Sequence, residues 1–284
     1  IYTEADALAA WRLTRPVALG DWFVPAEGMR ARLWNAGHIL GAASVELEAG
    51  GVRLMYSGDI GPDNKAFLPA PDAGAGFDHL ICEATYGDRA RSRVSMAERR
   101  ELLAAEIDAT RARGGNLVIP AFALERTQEL LLDIATLSDS GRIGGATVFV
   151  DSPLANRATG VFRRYVRGLQ DTAGRDVFAH PSIHYVQDAA QSIRLNGLSG
   201  AIIIAASGMC EAGRIRHHLI HNLPRRESTI LFVGFQAAGS LGRVIQEGAG
   251  RVRISGQDVA VRAHVRSIDL SLIHISEPTR QAEI

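Results

Sequence analysis

Cysteine is nearly absent from this 284-residue chain. Cys82 and Cys210 are the only two, too few for a disulfide framework. Long apolar runs are missing as well: the purely aliphatic stretches, such as AIIIAA at residues 201–206, are far too short to cross a bilayer. No sign of charge dominates. Lys plus Arg and Asp plus Glu both count 31, for a net charge of +0, so no bulk field steers the chain toward nucleic acid, and any anion site has to be built by local placement. Neither an H-x-H nor a C-x-x-C pair occurs, so these two common zinc-ligand spacings are missing. There is no initial methionine and no basic-then-apolar leader at Ile1, which sets the expectation that the true N-terminus lies upstream. With 46% hydrophobic and 22% charged residues the composition is ordinary for a folded protein, and a cytoplasmic location, with no membrane partner, is the expectation.

What is present changes character along the chain. Up to about Glu83, short β-rich runs (ARLWNAG, ASVELEAG, GVRLMYSGD, FDHLICEA) are separated by Gly, Asp and Pro. Ser95 and Glu98 then form a capping box ahead of a helix that Gly114 and Gly115 stop. From there apolar strands alternate with helices: NLVIPAFA, ERTQELLLDIATL, TVFVDSP, ANRATGVFRRYVRGL, IHYV, AAQSIRLN, AIIIAAS, GRIRHHLIHNL, STILFVGF. Wholly apolar strands between helices predict a mostly parallel sheet covered on both faces. After Gly239 the pattern reverts to β, with a hairpin expected around Gly256. The fold class is therefore α/β, a Rossmann-like block between two β-rich pieces.

Candidate chemistry sits at strand ends. His38 lies in NAGHILGAASVELE, flanked by Gly37 and Gly41 just before a strand, and Asp59 ends the next strand in YSGDIG. An imidazole and a carboxylate on one rim suit zinc, and they equally suit a turn histidine and an Asx-turn. Glu83 comes after the apolar run HLI, where it either supports a site or caps the next segment. Asp151 and Arg126 occupy strand-to-helix turns open to both anion contact and capping. His217, His218 and His221 lie beside the apolar stripe of Ile215, Leu219 and Leu223 with no accompanying acid. They are expected to flank that stripe or face solvent. Arg214, at the start of the same helix, is better placed to hold a phosphate.

Taken together, AGHILGAA, YSGDIG and CEATYGDR resemble the third and fourth metal motifs and the first β-CASP motif (usually E-[AS]-T-Y-G) of the β-CASP branch of the metallo-β-lactamase fold. That family of zinc-dependent nucleases includes the endonuclease of pre-mRNA 3′-end processing and bacterial and archaeal relatives. IPAFALERTQELL, VFVDSPLA, SGMCEAGRIRHHL and FVGFQAAGSLGR come next, in the family's order. The resemblance implies a fragment of an αββα metallo-β-lactamase fold with an inserted Rossmann-like β-CASP domain. Residues 1–92 and 241–269 would belong to the first and 93–240 to the second. It also implies that His38 and Asp59 are zinc ligands, with Asp59 bridging two zinc ions that activate water for attack on an RNA phosphodiester, and that Glu83 orients catalytic groups. Ser207, Gly208, Arg214, Arg126 and Ser240 are the candidate phosphate-binding residues, RNA is the expected partner, and a homodimer stays open.

Three departures stand out. The family's H-x-H-x-D-H motif would precede Ile1. Val244 comes after Arg243 where eukaryotic members carry a histidine. Beyond Asp269, a G-[FL]-S-A-H-A-D-like segment is replaced by LSLIHISEPTRQAEI. Residues 270–284 read as one frame of a transposase library adapter, so the expectation is that they pack against nothing and that His274 is not a ligand. The leading reading is a zinc-dependent ribonuclease of which this chain holds an incomplete site, inactive alone. The alternatives are a non-catalytic scaffold subunit, a DNA-directed nuclease, and a small-molecule hydrolase on the same fold.

Overall fold

The computed structural model describes residues 2–62, 65–85, 87 and 95–268. Asp269 and the tail at 270–284, with His274, lie outside the described residues, as do Tyr86, Asp88 and Arg89 of CEATYGDR. The described residues divide into two compact units, one built from 2–62, 70–85 and 87, the other from 65–69 and 95–268.

The first unit starts with helix α1 (Glu4–Arg12), closed by a Thr3–Asp6 capping box and burying none of its residues. Its sheet holds five strands in sequence order: β1 (Trp22–Phe23), β2 (Met29–Asn35), β3 (Ala43–Ala49), β4 (Val52–Tyr56) and β5 (His79–Ile81). All neighbours are antiparallel except β4 and β5, which run parallel. The alternation in ASVELE has an unexpected polarity. Ser44 and Glu46 point to the buried side, while Val45 and Leu47 are only half-buried. Glu46 is completely buried because it accepts bonds from Arg32, Arg53 and the Trp34 indole. Burial pushes its carboxyl upward, and these bonds outweigh that and leave it below the usual glutamate value.

The second unit contains α2 (Met96–Ala112), β6 (Leu117–Pro120), α3 (Arg126–Asp139), β7 (Thr147–Val150), α4 (Pro153–Tyr165), β8 (Ile183–Tyr185), α5 (Ala189–Arg194), β9 (Ala201–Ala205), α6 (Ile215–Asn222), β10 (Thr229–Phe232), α7 (Leu241–Gln246), β11 (Arg251–Ile254), β12 (Gln257–Ala260) and β13 (His264–Ser267). The expected capping box of Ser95 and Glu98 opens α2. Six strands form one parallel sheet in the order β13-β10-β6-β9-β7-β8, and β6, β9 and β10 are buried throughout, all apolar but for Thr229 at the start of β10. One side packs Ile203, Ile230 and Phe232 against Ile215 and Leu219 of α6. Elsewhere in the unit Phe67, Phe162 and Phe178 meet edge-on or tilted with ring centroids 5.7–6.1 Å apart.

Two details differ from the sequence-based expectation. The stretch after Gly239 does not go directly to β: Ser240 accepts from the Arg243 amide and starts α7, and the hairpin at Gly256 comes next as β11 and β12. Residues 241–268, expected with the first domain, lie in the second unit, where β13 extends the parallel sheet beside β10. No described helix is long and apolar enough to cross a membrane.

Candidate functional site

In the first unit, two loops are brought together by a glycine. Gly61 donates its amide to the Ala36 carbonyl, and a Cβ at Gly61 would overlap the Gly37 carbonyl and the His38 amide. Only a residue without a side chain lets the loop after β4 lie against the loop before β3. Gly37, at φ 64°, takes its own bend with its amide on the Asn35 side chain. The consequence is that His38 Nε2 stands 4.0 Å from Asp59 Oδ2, with the histidine side chain a quarter exposed and the aspartate mostly exposed. Glu83 is the third member. Its Oε1 accepts from the Ile60 amide at 2.5 Å, its Oε2 from the Thr85 hydroxyl at 2.7 Å, and its own amide donates to Ser57. It therefore braces the loop that carries Asp59. Removing that carboxylate in Glu83→Ala is expected to raise the Ile60 amide exchange rate about tenfold, the scale of one charge-assisted bond; hydrogen–deuterium exchange read at that amide checks it.

The donor chemistry of His38 and Asp59 fits a divalent metal. Their separation is about twice a zinc–donor distance of roughly 2.0–2.2 Å. Among the described residues no group of three His, Cys, Asp or Glu side chains converges on such a point, and a zinc centre uses at least three protein ligands.

In the second unit, three loops at the carboxyl ends of adjacent strands interlock. Gly208, after β9, abuts Phe122, after β6, so closely that a Cβ would crowd the ring. Gln236, after β10, donates to the Gly208 carbonyl. A Cβ on Gly242 would strike the Gln236 side chain, and the Gly242 amide donates to Met209. Glu211 reaches across to accept from the Leu241 amide at the start of α7. SGMCEAGR, PAFALERT and FQAAGSLGR, separate in the sequence, are therefore one packed cluster.

Within it the candidate residues differ in what they leave available. Ser207 accepts from the Ala212 amide. The Ser240 hydroxyl is used on Ala237 and on the cap of α7. Arg126 lies 2.7 Å from Glu129. Asp151 neither caps a helix nor faces outward: Ser152 caps α4, while Asp151 is fully buried. Its Oδ1 accepts from Arg214 Nη1 at 2.5 Å, and its Oδ2 from Ser192 at 2.5 Å and His218 Nε2 at 2.7 Å. Burial drives the Asp151 carboxyl upward, but His218, Ser192 and Arg214 hold it below the ordinary aspartate value. His217 and His221 are exposed as expected, whereas His218 is wholly buried, because it shares the Asp151-facing side of α6 with Arg214, four residues earlier. That spacing was legible in the sequence. Ser192 and Gln236 carried no such signal.

Residues 127–245 match the Beta-Casp domain family. The chain is 34% identical over 263 residues, 89% of its length and 59% of the relative's, to a protein named ribonuclease TTHA0252 from Thermus thermophilus. It is 32% identical over 247 residues, 86% and 58% of the two lengths, to an RNase J-like protein of Methanocaldococcus jannaschii. It is 27% identical over 257 residues, 86% and 30%, to the endoribonuclease YSH1 of Yarrowia lipolytica. The chain thus spans less than two thirds of each of these relatives.

Proposed function

Because the chain belongs to the β-CASP family of metallo-β-lactamase-fold nucleases, we propose that it serves zinc-dependent hydrolysis of RNA phosphodiesters in the cytoplasm. The observation that carries this is the approach of His38 and Asp59, an imidazole and a carboxylate 4.0 Å apart in a chain whose relatives are named ribonucleases. His38 Nε2 and Asp59 Oδ2 would hold zinc, which when bound activates water and neutralises charge on the phosphoryl group. Glu83 keeps Asp59 in register through Ile60. Arg214 offers a charged fork to a backbone phosphate at the start of α6. With a net charge of +0, binding rests on such local groups and not on a bulk field.

One observation favours a second reading, a non-catalytic RNA-binding scaffold: the described residues bring only two metal donors together. A single assay separates the two. With the protein extended to the length of its relatives, a 5′-labelled single-stranded RNA and added zinc, the nuclease reading expects cleavage that a chelator stops and that His38→Ala reduces by ~100-fold, at least as much as loss of a residue that only supports a metal ligand. RNA that is bound and left intact favours the scaffold. Cleavage indifferent to both chelator and His38→Ala overturns the metal site.

A further inference from the structure

We propose that Asp151 is a positioning residue for RNA binding: with Ser192 and His218 it forms a buried clamp that fixes the Arg214 guanidinium for a backbone phosphate. The inference rests on the reading of Arg214 as a phosphate ligand. Four residues from three separate segments meet here. Asp151 comes directly after β7, Ser192 lies in α5, and Arg214 and His218 lie just before and within α6. Asp151 and His218 are 0% exposed, whereas the Arg214 side chain is 21% exposed. A buried charge network of this kind is weak evidence for stability alone, since apolar side chains of the same volume often do as well.

The division of labour on the carboxylate supplies the reason. Two donors, Ser192 and His218, occupy Oδ2 and set the plane of the group, and Oδ1 is left to Arg214 Nη1. A guanidinium gripped by one N–H keeps the rest of its planar fork for a ligand, and a fixed fork loses less conformational freedom on binding than a mobile one.

The test is equilibrium binding of a fluorescein-labelled single-stranded RNA to the 284-residue chain, with EDTA present so that metal plays no part, between about 50 and 200 mM salt. Arg214→Ala is expected to weaken binding roughly tenfold and to lower the slope of log K against log salt by about 0.7, the share of one phosphate contact on a single strand. Asp151→Asn, which leaves Arg214 in place, is expected to give the same slope change, and the double variant is expected to bind no more weakly than Arg214→Ala alone. Ser192→Ala keeps the charge and the fold. It is expected to weaken binding two- to threefold when Arg214 is present and not at all in the Arg214→Ala background. Equal effects of Ser192→Ala in both backgrounds, or an Asp151→Asn chain that retains the full slope while Arg214→Ala loses it, overturn the clamp. An unchanged slope in Arg214→Ala overturns the phosphate reading itself, and the clamp with it.

Discussion

Asp133→Ala is expected to destabilise the second unit by about 3–5 kcal/mol, the scale for removing one partner of a buried ion pair. Arg99 and Asp133 are each about 1% exposed and meet at 2.8 Å between α2 and α3, with Arg100 adding a second contact at 3.0 Å. Arg99 Nε and Nη1 have no partner among the described residues, so Asp133 is what holds this charge inside. Burial pushes the Asp133 carboxyl upward against the pull of both arginines, the signature of a costly group kept by its neighbours. Arg100 is partly exposed, so Arg100→Ala should cost about 1 kcal/mol or less. Urea unfolding followed by far-UV circular dichroism measures both. A loss below about 1 kcal/mol for Asp133→Ala, at unchanged denaturant slope, contradicts this account.

Gly61→Ala is the matching change in the first unit and is aimed at the metal site. The new methyl group would meet the Gly37 carbonyl and the His38 amide, both backbone, so no rotamer change relieves it. The two loops must part, at a cost of about 1–3 kcal/mol or more, and His38 must move away from Asp59. Trp11, Trp22 and Trp34 are the only tryptophans and all belong to this unit, so their fluorescence during urea unfolding reports on it specifically. The expected result is an earlier tryptophan transition together with lost exchange protection at the Gly61 amide, which donates to Ala36. An unaltered transition with full protection at Gly61 overturns the claim that the close approach requires glycine.

The sequence by itself determined the classes of element and much of their order. Apolar runs such as AIIIAA, short and flanked by turn residues, read as buried strands, the Ser95–Glu98 box read as a helix start, and seven motifs in order carried the resemblance to the β-CASP family. It also singled out His38 and Asp59, because glycines beside a polar residue at a strand end leave a local mark, and Glu83, because a carboxylate directly after an apolar strand stands out. What it could not decide were relationships across sequence distance. Alternation in ASVELE does not say which side is buried, and the polar side won because Arg32, Arg53 and Trp34 close over Glu46. Local patterning placed the last segment outside the parallel sheet, yet strand pairing put β13 beside β10. Asp151 read as a turn residue until β7, α5 and α6 converged on it. A hydrogen bond needs two groups at one place, and only the folded chain brings together residues that lie tens of positions apart.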